Sequence, residues 1–217
     1  MSRLTNEQKH LLFDYCLDIC TDAEKEEARQ LIETYPEATY LYAGLKAGLA
    51  PLETVEIEDC HQQFGFVWLG EFCNYMTGYK YDTPEWAQVM RLAARLNYVV
   101  QIHTNTQEMQ YLAETFPETT IVFPHLGGSQ KDIFARIAIV AQHQNASIDL
   151  SGSGIERVGI LERAVKEIGA ERVLYGSDFT INEPSAVIAR VRNAFLTPAD
   201  REKILFRNVE RLLARAG

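Results

Sequence analysis

The sequence predicts an α/β fold, namely a partial (β/α) barrel of about five parallel strands preceded by an all-helical amino-terminal segment. Short apolar runs recur at near-regular intervals from Phe64 onward, and amphipathic helical stretches separate them. Residues 1–51 contain no recognisable strand pattern. Strand-then-helix repetition at this length requires parallel strands joined by right-handed crossovers. Five strands are fewer than the eight of a closed barrel.

The amino-terminal segment reads as helix throughout. Apolar residues from Leu11 to Ile19 recur on one helical face. Thr21 and Glu24 have the spacing of a capping box, which opens a second helix over about residues 22–35. A third helix is expected over about 37–49, and the acidic stretch that follows resembles a linker. The predicted organisation is a helical segment, a linker and a partial barrel, over residues 1–51, 52–63 and 64–217.

The strands of the second region are predicted from β-branched and aromatic runs. They are Phe66–Phe72, Tyr98–His103, Thr120–Pro124, Ser147–Leu150 and Arg172–Tyr175. The intervening helices are expected over about 84–96, 107–115, 130–144, 155–168 and 184–195, with two more short helices at the end.

Composition and charge restrict the classes of partner. The chain has 217 residues, of which 47% are hydrophobic and 24% charged, and its formal net charge is −9. This charge argues against nucleic acid or an anionic membrane surface as a partner. No apolar run is long enough to span a bilayer. The four cysteines form no C-x-x-C pair and no signal peptide is recognised, so we expect a reduced, cytoplasmic protein.

Polar residues stand at the carboxyl ends of the predicted strands. The metal-ligating types among them are Glu71, His103, His125 and Asp178, and the fourth strand adds Asp149 and Ser151. The carboxyl ends of parallel strands meet in one mouth, so these side chains are expected to converge. Imidazole nitrogens and carboxylate oxygens suit zinc or another first-row divalent ion.

Several segments resemble one known family in order and spacing. They are VVQIHTN, IVFPHLGGS, ASIDLSGS, RVLYGSDF and ILFRNVERLL, together with WLGEFCNYMTGYKYDTPEW. The chain from about residue 64 to 217 is therefore similar to the amidohydrolase-2 branch of the amidohydrolase superfamily. The resemblance implies a TIM-barrel-like fold and metal-dependent hydrolysis, or the related decarboxylation, of a small-molecule substrate.

The resemblance also implies roles for individual residues. His103 matches a metal ligand, and His125 matches a histidine that polarises substrate, shuttles protons or binds a second ion. Asp178 matches an aspartate that contacts the metal and takes a proton from the attacking water. Glu71 matches a metal-bridging glutamate of related members. The expected cofactor is a divalent metal, zinc first and manganese second, and the expected catalytic residues are Asp178 and His125.

The chain departs from that family at one motif. The family's first strand carries His-x-His, whereas the five histidines here are isolated: His10, His61, His103, His125 and His143. Two function classes therefore stay open. One is a metal-dependent enzyme, and the other is a catalytically inactive barrel remnant used for binding, assembly or regulation. A five-stranded partial barrel has open strand edges, which predicts a homo-oligomer or a partner chain that covers them.

Alternative structural readings stay open for several residues. Asp178 can cap the following helix, and Glu71 can be a structural carboxylate. Asp149 is expected to satisfy neighbouring backbone donors. Gly127–Gly128 permits a tight turn or an anion site at a helix N-terminus. The loop containing Tyr75, Tyr79, Lys80 and Tyr81 can contact substrate, solvent or a partner.

Overall fold

The computed structural model describes residues 4–16, 20–36, 38–39, 41–42 and 54–216. The chain divides into two compact units, one of residues 1–57 with 75–79 and one of residues 58–74 with 80–217. Within the described ranges, no helix is long and apolar enough to cross a membrane.

The first unit contains α1 (Asn6–Cys16) and α2 (Asp22–Thr34). The predicted capping box is confirmed, because the Thr21 hydroxyl accepts from the Glu24 N–H and the Glu24 carboxylate accepts from the Thr21 N–H. The buried residues of this unit form a small apolar core of Leu4, Leu12, Ala28, Leu31 and Ala38. Most of the third helix predicted over 37–49 lies outside the described residues.

The stretch interpreted as a linker is instead a helix, α3 (Thr54–Phe64). Of its acidic residues, Glu58 is half-buried and Asp59 is exposed, a placement that composition does not distinguish from an unstructured linker. The division into a helical segment and a partial barrel stays a proposal.

The second unit is built on one five-stranded sheet in the order β1-β2-β3-β4-β5. All four strand pairings are parallel. The strands are β1 (Trp68–Cys73), β2 (Val99–His103), β3 (Thr120–Phe123), β4 (Ala146–Asp149) and β5 (Val173–Leu174). The prediction of a partial barrel with five parallel strands is confirmed.

Apart from one short helix, the helices that follow the first strand agree with the predictions in number and order within the described part of the chain. They are α4 (Asn74–Thr77), α5 (Pro84–Arg95), α6 (Thr106–Thr115), α7 (Gln130–Gln142), α8 (Ile160–Ile168), α9 (Pro184–Arg192), α10 (Pro198–Glu202) and α11 (Asn208–Leu213). The short helix α4 was not predicted. Helix α8 begins at Ile160 rather than 155, because residues 152–159 form an irregular loop.

One face of the sheet is the inner face, which carries Val99, Gln101, Val122, Asp149 and Leu174. Val99, Val122 and Leu174 form a buried apolar cluster with Leu212 of α11. The carboxyl-terminal helix thus packs against the inner face of the partial barrel.

Buried polar contacts hold this helix in place. The Asn208 side-chain amide donates to the carbonyls of Ala170 and Val173, at 2.7 and 2.8 Å. Just before it, residues Lys203–Arg207 form a π-turn, and the Ile204 carbonyl accepts from the Tyr175 N–H at 2.8 Å. The helix is therefore tied to both ends of β5.

Candidate metal centre

A β-bulge in β1 aims Glu71 at the mouth of the sheet. Leu69 is paired with Val100 and Phe72 with Ile102, so Gly70 and Glu71 together oppose one residue, Gln101. Strict alternation would have placed Glu71 on the other face, whereas the extra residue re-aims it. Only glycine fits before it, since Gly70 has φ +116 and an added Cβ would lie 2.3 Å from the Gln101 carbonyl oxygen.

The carboxyl ends of β2 and β3 carry the two histidines. His103 is the last residue of β2, and His125 follows β3 by two residues with φ +68. Their rings lie 5.1 Å apart between centroids at 67°. The buried hydroxyl of Tyr81 donates to the carbonyls of His103 and Phe72, at 2.9 and 3.2 Å. Tyr81, which the sequence placed on a loop over the mouth, therefore ties β1 to β2.

A buried arginine joins β2 and β3 behind the histidines. Arg136 is only 4% exposed, and its guanidinium donates to three carbonyls, those of Thr104, Pro124 and His125, at 2.9, 2.6 and 3.1 Å. Burial lowers the pKa of Arg136, although Asp132 and Asp149 oppose this. Its role was not predicted, although an arginine on the apolar face of α7 was a visible signal.

Asp178 completes the set of four predicted residues. It follows β5, with φ +58, and its Oδ2 lies 4.0 Å from His125 Nε2. Glu71 Oε1 lies 4.0 Å from the same nitrogen. The structure thus places both carboxylates around Nε2 of His125.

Three of these residues have the spacing of a metal site. Glu71, His103 and His125 each offer one ligand atom, and these atoms all lie within 4.8 Å of one another. Asp178 adjoins this trio through His125. The residues present therefore fit a first-row divalent ion, both in donor type and in mutual distance.

The local electrostatics favour the metal-binding form of His103. Burial lowers the pKa of His103, and the nearby His125 and Arg136 lower it further, although Asp178 and Glu108 oppose them. Neutral imidazole is the form that binds a metal.

The Glu71 carboxylate is shifted in the opposite sense. Burial raises its pKa, His125 lowers it, and Asp149 and Asp178 raise it again. A nearby positive charge would offset the electrostatic repulsion between these carboxylates.

A cavity of about 360 Å³ opens beside the trio on the inner face of the sheet. Its lining combines apolar and polar residues: Trp68, Glu71, Gln101, Val122, Asp149, Ser151, Leu174, Tyr175, Gly176, Ser177, Asp178 and Val209. The volume suits a small molecule.

Two of the open alternatives are also decided by contacts. Gly128 N–H donates to Asp132 Oδ2 at 3.2 Å, and a Cβ on Gly127 would lie 2.4 Å from that same oxygen. This supports a tight turn closed by the protein's own carboxylate. Asp149 accepts from the backbone N–H groups of His125 and Ser151, as expected.

Comparison with known proteins gives a consistent result. A family model described as amidohydrolase matches residues 21–215. No curated protein matches the chain. One solved structure of similar fold is a dihydroxybenzoic acid decarboxylase from a Polaromonas species, with bound manganese and the inhibitor 2-nitroresorcinol. It aligns at TM-score 0.59 and 17% identity, and the alignment covers 86% of this chain and 76% of that one.

Two further structures extend the comparison. An uncharacterised TIM-barrel protein from Bordetella bronchiseptica has TM-score 0.64 and 19% identity, over 75% of this chain and 62% of that one. An amidohydrolase from Burkholderia multivorans with bound zinc has TM-score 0.52 and 17% identity, over 61% and 58%. At these identities the structures show a shared fold.

Proposed function

The chain belongs to the amidohydrolase family, and from that premise we propose that it is a metal-dependent enzyme acting on a small molecule. The observation that carries the proposal is the trio of Glu71, His103 and His125, whose ligand atoms lie within 4.8 Å of one another. A catalytic zinc site usually has three protein ligands and one open position. Without a His-x-His motif, Glu71 provides the third ligand from within this chain.

We assign the metal to these three residues, with zinc as the first choice and manganese as the second. Solved structures of similar fold contain manganese or zinc. When bound, the metal would polarise the substrate and lower the pKa of water.

The remaining chemistry falls to side chains around the trio. Asp178 Oδ2 lies 4.0 Å from His125 Nε2, so the two groups flank one space in which a proton can be taken up or returned. We propose Asp178 as the general base, which takes up the proton and returns it. His125, as a ligand of the metal, orients the substrate at that position. The apolar side chains of the cavity lining would exclude water from the substrate's non-reacting side.

The proposed reaction is hydrolysis, or the related decarboxylation, of a small carboxylic acid. One protein of similar fold is a dihydroxybenzoic acid decarboxylase, and the cavity of about 360 Å³ can take a molecule of that size. The loops that follow the strands set substrate specificity in such folds.

Metal analysis of the purified full chain tests the proposal. We expect about one zinc or manganese ion per chain after reconstitution. Glu71→Gln and His103→Ala should each lose most of that metal, because each removes one of three ligands. His10→Ala is the matched control, since His10 is an exposed residue of α1. If the wild-type chain holds no metal after reconstitution, the enzyme proposal fails and an inactive barrel remnant is the better interpretation.

A further inference from the structure

A chain of side-chain hydrogen bonds runs along the inner face from β1 to β4. The Trp68 indole donates to Gln101 Oε1 at 3.2 Å, and Gln101 Nε2 donates to Asp149 Oδ2 at 2.9 Å. An indole N–H can only donate, so it fixes which end of the Gln101 amide faces it. The amide NH₂ must therefore point at Asp149.

Asp149 is used as an acceptor on both oxygens. Its Oδ1 accepts from the N–H groups of Ser151 and His125, at 2.8 and 3.2 Å, and also from the Ser151 hydroxyl. With N–H donors on both of its oxygens, the carboxylate acts as an acceptor. The single hydroxyl proton of Ser151 is thus directed to Asp149.

This direction determines the proton position on His125. Ser151 Oγ lies 3.0 Å from His125 Nδ1. Because the serine proton already points to Asp149, the serine oxygen accepts and Nδ1 carries the hydrogen. The lone pair of neutral His125 then resides on Nε2, the nitrogen that faces Glu71 and Asp178 at 4.0 Å.

We infer that Ser151 and Asp149 are positioning residues that hold His125 in its Nδ1–H tautomer, so that Nε2 is the atom presented to the mouth. Gly152 keeps the ring in place, because its Cα packs so closely that an added Cβ would lie 2.4 Å from Nδ1. The hydrogen bond on one imidazole nitrogen commonly decides which nitrogen binds a metal. What Nε2 then does rests on the proposed function, whereas the tautomer does not.

Long-range ¹H–¹⁵N NMR of the full chain, without added metal and with its histidines neutral, tests the tautomer. His125 is assigned by comparison with His125→Gln, and we expect its Nδ1–H pattern in the wild type. Ser151→Ala should populate the Nε2–H form, Ser151→Thr should restore the wild-type pattern, and the exposed Ser153 makes Ser153→Ala the matched control. An Nε2–H pattern in the wild type, or an unchanged pattern in folded Ser151→Ala, overturns the inference.

Zinc titration of the same variants gives a second readout. Loss of a partner to a ligating histidine commonly weakens metal binding by about 10–100-fold, which we expect for Ser151→Ala but not for Ser153→Ala. If the wild type shows the Nδ1–H tautomer yet binds neither zinc nor manganese, the proposed function fails and the positioning role stands. If zinc binds tightly but His125 shows the other tautomer, the positioning role fails alone.

Discussion

Replacing Gly152 by alanine should disturb His125 directly. Gly152 has φ +57, and a Cβ there would lie 2.4 Å from His125 Nδ1 and 2.7 Å from Cε1. The nearer distance is about 1 Å short of the 3.4 Å at which ordinary van der Waals contact begins. The histidine ring or the loop must therefore move by about that amount.

Two unfavourable terms set the loss of stability, and one favourable term offsets part of it. A non-glycine residue in the left-handed region costs about 1–2 kcal/mol, and overpacking adds about 1–3 kcal/mol. The lower entropy of the unfolded alanine chain returns about 0.4–1 kcal/mol. At the middle of these ranges the net loss is about 3 kcal/mol, which for a chain of this size lowers Tm by about 6–12 °C.

Gly159→Ala separates the cost of backbone strain from the cost of the steric clash. Gly159 has φ +81 and nothing within 4 Å of its added Cβ, so this variant has the backbone strain without the clash. Its Tm should fall by about 2–4 °C at most, and its zinc affinity should equal the wild type's. Thermal unfolding and zinc titration measure both effects. Equal Tm losses in the two variants, with equal zinc affinity, would refute the close packing of Gly152 on His125.

Three further predictions concern the fold and the assembly. Arg136→Met should lower the free energy of unfolding by about 3 kcal/mol in urea titrations, because three buried carbonyls lose their donors. For Glu162, burial raises the pKa, but hydrogen bonds from Arg190 and the Phe195 N–H outweigh it and leave the pKa below 4.5. Glu162 thus stabilises the fold above pH 4.5 and loses this effect as the pH falls through its lower folded pKa. Urea unfolding at a series of acidic pH values measures this, and the urea midpoint should fall less steeply with decreasing pH in Glu162→Gln than in the wild type. Light scattering at micromolar concentration should show an oligomer, and a well-behaved monomer would contradict that expectation.

The sheet was predictable from sequence because its signals are local. Each strand is a short apolar run, and the predicted runs match the observed strands to within about two residues at every end. The capping box of α2 was equally predictable, because it is recognised from the spacing of Thr21 and Glu24 alone. The helix at Thr54–Phe64 was missed because its acidic composition also suits a linker.

The residues of the candidate site could be proposed from the sequence, but their geometry could not. His103, His125 and Asp178 follow from the rule that strand ends converge. Glu71 is different, because period-two alternation from Trp68 puts it on the face away from His103. Its orientation depends on the bulge at Gly70, which appears only once the pairing with Gln101 is known. The hydrogen-bond directions at Ser151 likewise depend on partners distant in sequence.

His125 and Asp178 adopt left-handed backbone conformations, with φ +68 and +58. Each residue lowers the stability of the fold by about 1 kcal/mol relative to a residue that adopts this conformation without strain. Asparagine at position 178 would recover part of this energy while replacing the carboxylate by an amide. Glycine at position 125 would do so while removing the imidazole from the mouth. Selection for thermal stability alone would therefore favour loss of these two site residues. The backbone conformation at positions 125 and 178 thus sets stability against function.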